Sequence, residues 1–131
     1  ESFGAAHQAA SKVLAEGMQK LGIIKGANEL RTYFMHGTSH SLGLDVHDAM
    51  GGDSTLRKGV VLTVEPGIYI KEGSPCDKKW WNIGIRIEDD ILVTANGPEN
   101  MSIGAPRTVA DIEKMMAEKG IGNEPIRPWK K

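Results

Sequence analysis

Apolar residues recur with a period of two through the middle of this chain, and that period restricts it to a sheet. Val60 to Val64 is a largely β-branched run, Ile83, Ile85 and Ile87 alternate with Gly84, Arg86 and Glu88, and Ile91 to Val93 open another strand-like stretch that ends at Asn96-Gly97-Pro98. Leu42, Leu44 and Val46 alternate with Gly43, Asp45 and His47, which predicts a further strand. On either side the period lengthens. Ala6, Ala10, Val13, Leu14, Met18 and Leu21 recur at helical spacing and Gly22 stands where a helix C-terminus needs a left-handed residue. Thr108 can cap a second helix over 109–119, with Asp111 at the capping-box position, an apolar face of Ile112, Met115 and Met116, and Gly120 as its stop. Helix, strands, helix is an α+β pattern with a largely antiparallel sheet. Gly51-Gly52-Asp53 and residues 71–82 read as turns or loops, and residues 120–131, with Pro125 and Pro128, as an extended tail.

The polar residues that interrupt this frame carry the chemistry. Alternation along a strand puts Thr63 and Glu65 on one face and Leu62 and Val64 on the other, and puts Arg86 and Glu88 opposite Ile85 and Ile87. Two strands can therefore present Glu65 and Glu88 to one surface, either as exposed or salt-bridged glutamates or as carboxylates compensated by a divalent cation. Three of the four histidines, His36, His40 and His47, lie within a dozen positions. His36 and His40 are four apart, but Gly37 and Thr38-Ser39 argue against a helix, so this is not the helical two-histidine zinc motif. Gly37 suits a positive-φ turn or a close backbone approach. Three histidines beside two strand-borne glutamates bring a metal or acid-base site level with a purely structural reading. His7, on the first helix, is expected to face solvent.

At 131 residues the chain is one domain's worth of core. Sixteen basic against 17 acidic residues give a net charge of -1, so no bulk attraction to nucleic acid or anionic lipid is expected. No apolar run approaches the roughly 18 residues of a membrane span. The single cysteine, Cys76, excludes an intrachain disulfide and makes the cytoplasm the expected compartment. The chain opens on Glu1 with neither an initiator Met nor a signal-peptide pattern, the expectation for a start part-way through a longer protein.

Three ordered motifs sharpen this reading. Met35-His36-Gly37-Thr38-Ser39-His40-Ser41-Leu42-Gly43-Leu44-Asp45-Val46-His47-Asp48, Leu62-Thr63-Val64-Glu65-Pro66-Gly67-Ile68-Tyr69 and Gly84-Ile85-Arg86-Ile87-Glu88-Asp89-Asp90 resemble the catalytic domain of the Xaa-Pro aminopeptidase (aminopeptidase P) and prolidase family, the pita-bread metallopeptidases. Ala105-Pro106-Arg107-Thr108-Val109-Ala110-Asp111-Ile112-Glu113 looks like the start of that family's closing helix. The resemblance implies a pita-bread (creatinase/aminopeptidase-like) fold, a largely antiparallel curved sheet with flanking helices. Residues 1–131 would be the C-terminal portion of one metallopeptidase catalytic domain, truncated on its N-terminal side.

The resemblance also implies a site. The family holds two divalent ions, usually Mn2+, on two aspartates, one histidine and two glutamates, and a metal-bridging hydroxide attacks the carbonyl of the bond before proline. By motif, His40, Glu65 and Glu88 correspond to metal ligands, and Glu65 also to the group that exchanges protons with nucleophile and leaving amine. His47 matches a histidine that hydrogen-bonds the substrate or tetrahedral intermediate. His36 and Arg86 match residues on the proline side of the pocket. The two aspartates lie upstream of the first helix in the family; Asp45, Asp48 and Asp53 are no substitutes. With three of five ligands, the isolated chain is expected to be inactive on Xaa-Pro peptides and to bind one metal weakly at most.

Prolidase, restricted to dipeptides, is the near alternative. A non-catalytic pita-bread module that binds peptides or proteins is the alternative from another class. Trp80, Trp81 and Tyr69 read as packing aromatics ahead of pocket-lining ones. An uncovered sheet edge predicts homo-oligomers or aggregation.

Overall fold

The computed structural model describes residues 2–50, 52, 54–120 and 122, so most of the tail and two residues of the Gly51-Gly52-Asp53 turn lie outside the described residues. The order is α1 (Phe3–Lys20), a 3-10 turn at Ala27–Thr32, β1 (Val61–Val64), β2 (Gly67–Ile70), a 3-10 turn at Lys78–Trp80, β3 (Ile83–Arg86), β4 (Asp89–Thr94), β5 (Gly97–Asn100) and α2 (Val109–Met116). Among the described residues all strand pairings are antiparallel. They form two sheets instead of one, β1-β4-β5 and β2-β3.

Helix α1 ends as its sequence demands. Gly22 has φ +71°, the Gly22 N–H bonds Gln19 O, and the Ile23 N–H reaches back to Met18 O at 2.9 Å. That is the paired closure in which the residues at its two ends also meet in the core. Met18 and Ile23 are both buried, with Ala15, Ile24, Leu30, Tyr33, Phe34 and Ile70, and with Trp80 and Trp81 packed against the cluster. The tryptophans are packing aromatics. The buried stripe of α1 runs through Leu14, Ala15 and Met18, whereas Val13 and Leu21 are exposed. His7 does not face open solvent: its Nδ1 lies 2.9 Å from Thr38 Oγ1 and its ring packs on Phe34.

The strand expected at Leu42, Leu44 and Val46 is absent. Residues 38–42 take that place instead, lying antiparallel along β1 through Glu65 N–H to Thr38 O, Thr63 N–H to His40 O and Leu42 N–H to Val61 O. A four-residue strand offers no further edge. The chain therefore loops back, the Asp48 N–H returns to Ser41 O, and Leu44 and Val46 are left exposed.

The stretch opened by Ile91 ends at Thr94, before Asn96-Gly97-Pro98 as expected, and Gly97 and Pro98 then open β5. Pro98 is tolerated because its partner Val93 directs its N–H to Val60 on the opposite side. Helix α2 stops at Met116, short of the expected 119. Its cap is as expected, with Thr108 Oγ1 accepting the Asp111 N–H, but Ile112, Met115 and Met116 remain exposed.

Asp89 clasps the end of the sheet to the segment before α2. Arg107 pairs with both of its carboxylate oxygens, at 2.8 and 3.1 Å, and Ser102 Oγ donates to it. A side-chain hydrogen bond from Asn100, then Ser102 and Arg107, hold the Asp89 carboxyl below its ordinary value despite partial burial. A depressed carboxyl contributes stability above its unfolded value, about pH 4, and loses it as pH falls through the folded value. Asp89→Asn should therefore flatten the acid branch of stability measured by urea melts from about pH 5 to 2. Parallel acid branches for variant and wild type would exclude the clasp as a contributor.

Candidate metal centre

The two glutamates meet because the register continues unchanged across the gap between the two ladders. Val64 pairs with Asp89 and Gly67 with Arg86, an equal step of three residues on both strands. Glu65 therefore falls opposite Glu88, and Pro66 opposite Ile87. Pro66 has no N–H to give, and the Glu65 N–H is committed to Thr38 O at 2.7 Å on the other edge. Directly opposed side chains share a face, and like charges there are destabilising unless compensated. One compensation is visible: Arg86 Nε lies 3.5 Å from Glu65 Oε2.

His40 arrives on the same face through the segment that lines β1. Its backbone N–H donates to Thr63 Oγ1 at 3.1 Å, and Thr63, fully buried, has its hydroxyl 3.4 Å from Glu65 Oε1. The His40 Nδ1 is 3.0 Å from Ser41 O. A carbonyl only accepts, so Nδ1 carries the proton and Nε2 presents its lone pair. That lone pair is 3.2 Å from Glu65 Oε1. Two acceptors face each other, an arrangement that calls for a proton or a cation between them.

His40, Glu65 and Glu88 each offer a ligand atom within 4.8 Å of the others, the first two half-buried and Glu88 exposed. One imidazole and two carboxylates are a donor set suited to a divalent first-row ion. All six residues singled out in the sequence, His36, His40, His47, Glu65, Arg86 and Glu88, line one cleft of about 520 Å³. His47 stacks edge-on against His40 at 4.2 Å between ring centres. His36 sits apart from the ligand atoms, its Nε2 2.9 Å from Tyr69 Oη. Gly37 makes neither the positive-φ turn nor the close approach expected of it: a Cβ there would meet nothing, because residues 38–42 run extended along β1.

Thr63 and Tyr69 are the site residues that the sequence reading undervalued. Thr63 was legible as a face-mate of Glu65, two positions away. Tyr69 was not, since its contact with His36 spans 33 positions.

Residues 1–95 match metallopeptidase family M24. The chain is 44% identical over 116 residues to Xaa-Pro aminopeptidase of Escherichia coli, covering 80% of this chain and 26% of that protein. It is 42% identical over 125 residues to Xaa-Pro aminopeptidase 1 of Streptomyces coelicolor, covering 85% and 26%. Among solved structures it is similar to proline aminopeptidase P II from Yersinia pestis, with TM-score 0.75, 41% identity and coverage of 88% and 29%. It is also similar to E. coli aminopeptidase P with the inhibitor Pro-Leu, with TM-score 0.70, 44% identity and coverage of 81% and 27%. The chain thus spans about a quarter of the length of the curated relatives it matches. Its fold is the α+β pita-bread fold of these neighbours.

Proposed function

The chain belongs to metallopeptidase family M24, and from that premise we propose that it is the C-terminal portion of a catalytic domain that hydrolyses the bond between an N-terminal residue and proline. The convergence of His40, Glu65 and Glu88 in a cleft shared with His36, His47 and Arg86 carries this reading. The names of the relatives favour an aminopeptidase over prolidase. A cytoplasmic location belongs to the same proposal; no described helix is long and apolar enough to cross a membrane.

His40 Nε2, Glu65 and Glu88 would hold divalent metal, and the two-carboxylate set favours Mn2+. Such ions, when bound, polarise the scissile carbonyl and lower the pKa of water. The chain's own residues do the rest. Glu65, poised between His40 and Arg86, takes the proton that the attacking water gives up and passes it to the leaving amine as the C–N bond breaks. Arg86 holds Glu65 in orientation and supplies positive charge at the mouth of the cleft. His47, stacked on His40, is placed to hydrogen-bond the substrate carbonyl or the intermediate that follows. His36 and Arg86 bound the side that receives proline.

Calorimetric titration of the 131-residue chain with MnCl2 tests the centre directly. Weak binding is expected, because three ligand atoms converge, and His40→Ala should reduce it by at least about tenfold. Absence of binding by the wild-type chain would favour a non-catalytic peptide- or protein-binding module. The full-length protein should cleave Xaa-Pro-Xaa peptides in Mn2+, the 131 residues alone should not, and preference for Gly-Pro over longer peptides would point to prolidase. Self-association through β3, which among the described residues pairs only with β2, is part of the same proposal. A monomeric light-scattering peak would count against it.

A further inference from the structure

Two histidines in the cleft are built alike up to one atom. Each places Nδ1 on the backbone carbonyl of the next residue, His40 on Ser41 O at 3.0 Å and His36 on Gly37 O at 2.7 Å, so each carries its proton on Nδ1 when neutral. Their Nε2 atoms then differ. That of His40 faces a carboxylate, whereas that of His36 lies 2.9 Å from Tyr69 Oη, a donor that fills its lone pair. Both nitrogens of His36 are thereby occupied. Its ring is wedged edge-on against Phe34, at 5.1 Å between centres, and tilted against Tyr69 at 5.4 Å.

Tyr69 can reach His36 only because residue 67 has no side chain. A Cβ on Gly67 would lie 2.5 Å from the Tyr69 hydroxyl oxygen and 3.0 Å from His36 Nε2. Tyr69 is anchored on its backbone side too, its N–H donating to Tyr33 O at 2.9 Å and its position paired with Gly84 across β2-β3.

We propose that Tyr69 is a positioning residue: its hydroxyl, admitted by Gly67, caps the Nε2 lone pair of His36, which the Gly37 carbonyl already holds as the Nδ1–H tautomer, so that His36 meets the prolyl ring of the substrate as a fixed wall and neither binds metal nor carries a proton. The second half rests on the Xaa-Pro reading above; the cap itself does not. Two tests separate them.

In 15N-resolved NMR of the 131-residue chain above pH 8, His36 should be a single tautomer, protonated at Nδ1 and pyridine-like at Nε2. Tyr69→Phe, which keeps the ring and its packing, should leave that tautomer in place and move the Nε2 resonance downfield as its hydrogen bond is lost, and Gly67→Ala should do the same if it folds. A mixed wild type, or a Tyr69→Phe spectrum identical to it, overturns the cap. In the full-length protein, Tyr69→Phe should raise KM for Xaa-Pro peptides by roughly 3- to 10-fold, the scale of one net hydrogen bond, and lower kcat by a smaller factor. A merely structural role would instead lower the thermal midpoint without moving KM. Unchanged KM in an active enzyme overturns the positioning role and leaves the Xaa-Pro reading standing. An inactive wild type overturns that reading and the prolyl wall with it, while the spectra still judge the cap.

Discussion

Glu65→Gln in the full-length protein is expected to lower kcat/KM on Xaa-Pro peptides by roughly a thousandfold or more, combining loss of a general base with loss of a metal ligand. The substitution is nearly isosteric, so it leaves the 3.4 Å contact to Thr63 and the packing of the residue largely in place. What it removes is the negative charge that faces His40 Nε2 at 3.2 Å and Arg86 Nε at 3.5 Å. Folding should tolerate the change. Glu65 stands opposite Glu88, so neutralising it relieves a like-charge pair while costing Arg86, itself half in solvent, a partner. Thermal melts of the 131-residue chain should therefore shift by only a few degrees. Steady-state kinetics decide the matter: a variant that keeps more than about a tenth of wild-type kcat/KM would remove Glu65 from the chemistry.

The second large effect concerns stability. Met18→Ala is expected to destabilise the chain by about 2–5 kcal/mol, the range for emptying a buried long side chain. Met18 is 1% exposed, lies in the cluster with Ile23, Leu30, Tyr33 and Phe34, and supplies the carbonyl that closes α1 on Ile23. Its loss opens a void under the helix end. Against a total of about 5–15 kcal/mol for an ordinary domain, that is a large fraction. Val13→Ala on the same helix is the control. Val13 is 67% exposed, and its truncation should stay within about 0.5 kcal/mol. Urea denaturation that ranks the two variants equally would show the assignment of the core to be wrong.

These two helix positions also mark where reading from sequence runs out. Both looked apolar-periodic, and the spacing pattern alone does not resolve the phase of the stripe to one residue, because a helix face about 100° wide admits neighbours on either side. Leu44 and Val46 mislead for a different reason. Their alternation is sound, but a strand needs a partner edge, and β1 is filled by residues 38–42 before the chain reaches them. His7 looked like a surface histidine, and only the return of Phe34 and Thr38 against α1 gives its ring partners.

Which side chains can share a face is legible in local sequence. Period-two alternation puts Thr63 with Glu65 and Arg86 with Glu88, and the three motifs carry the resemblance to the family that residues 1–95 match. Such facts are local, set by where successive Cβ atoms point. The tertiary structure alone decided that Glu65 stands opposite Glu88, that residues 38–42 carry His40 onto β1, and which histidine nitrogen is left open. Each depends on register between segments some twenty residues apart or on a contact such as His36 with Tyr69. Register is chosen by the whole set of pairings at once, and no stretch of this chain contains that set.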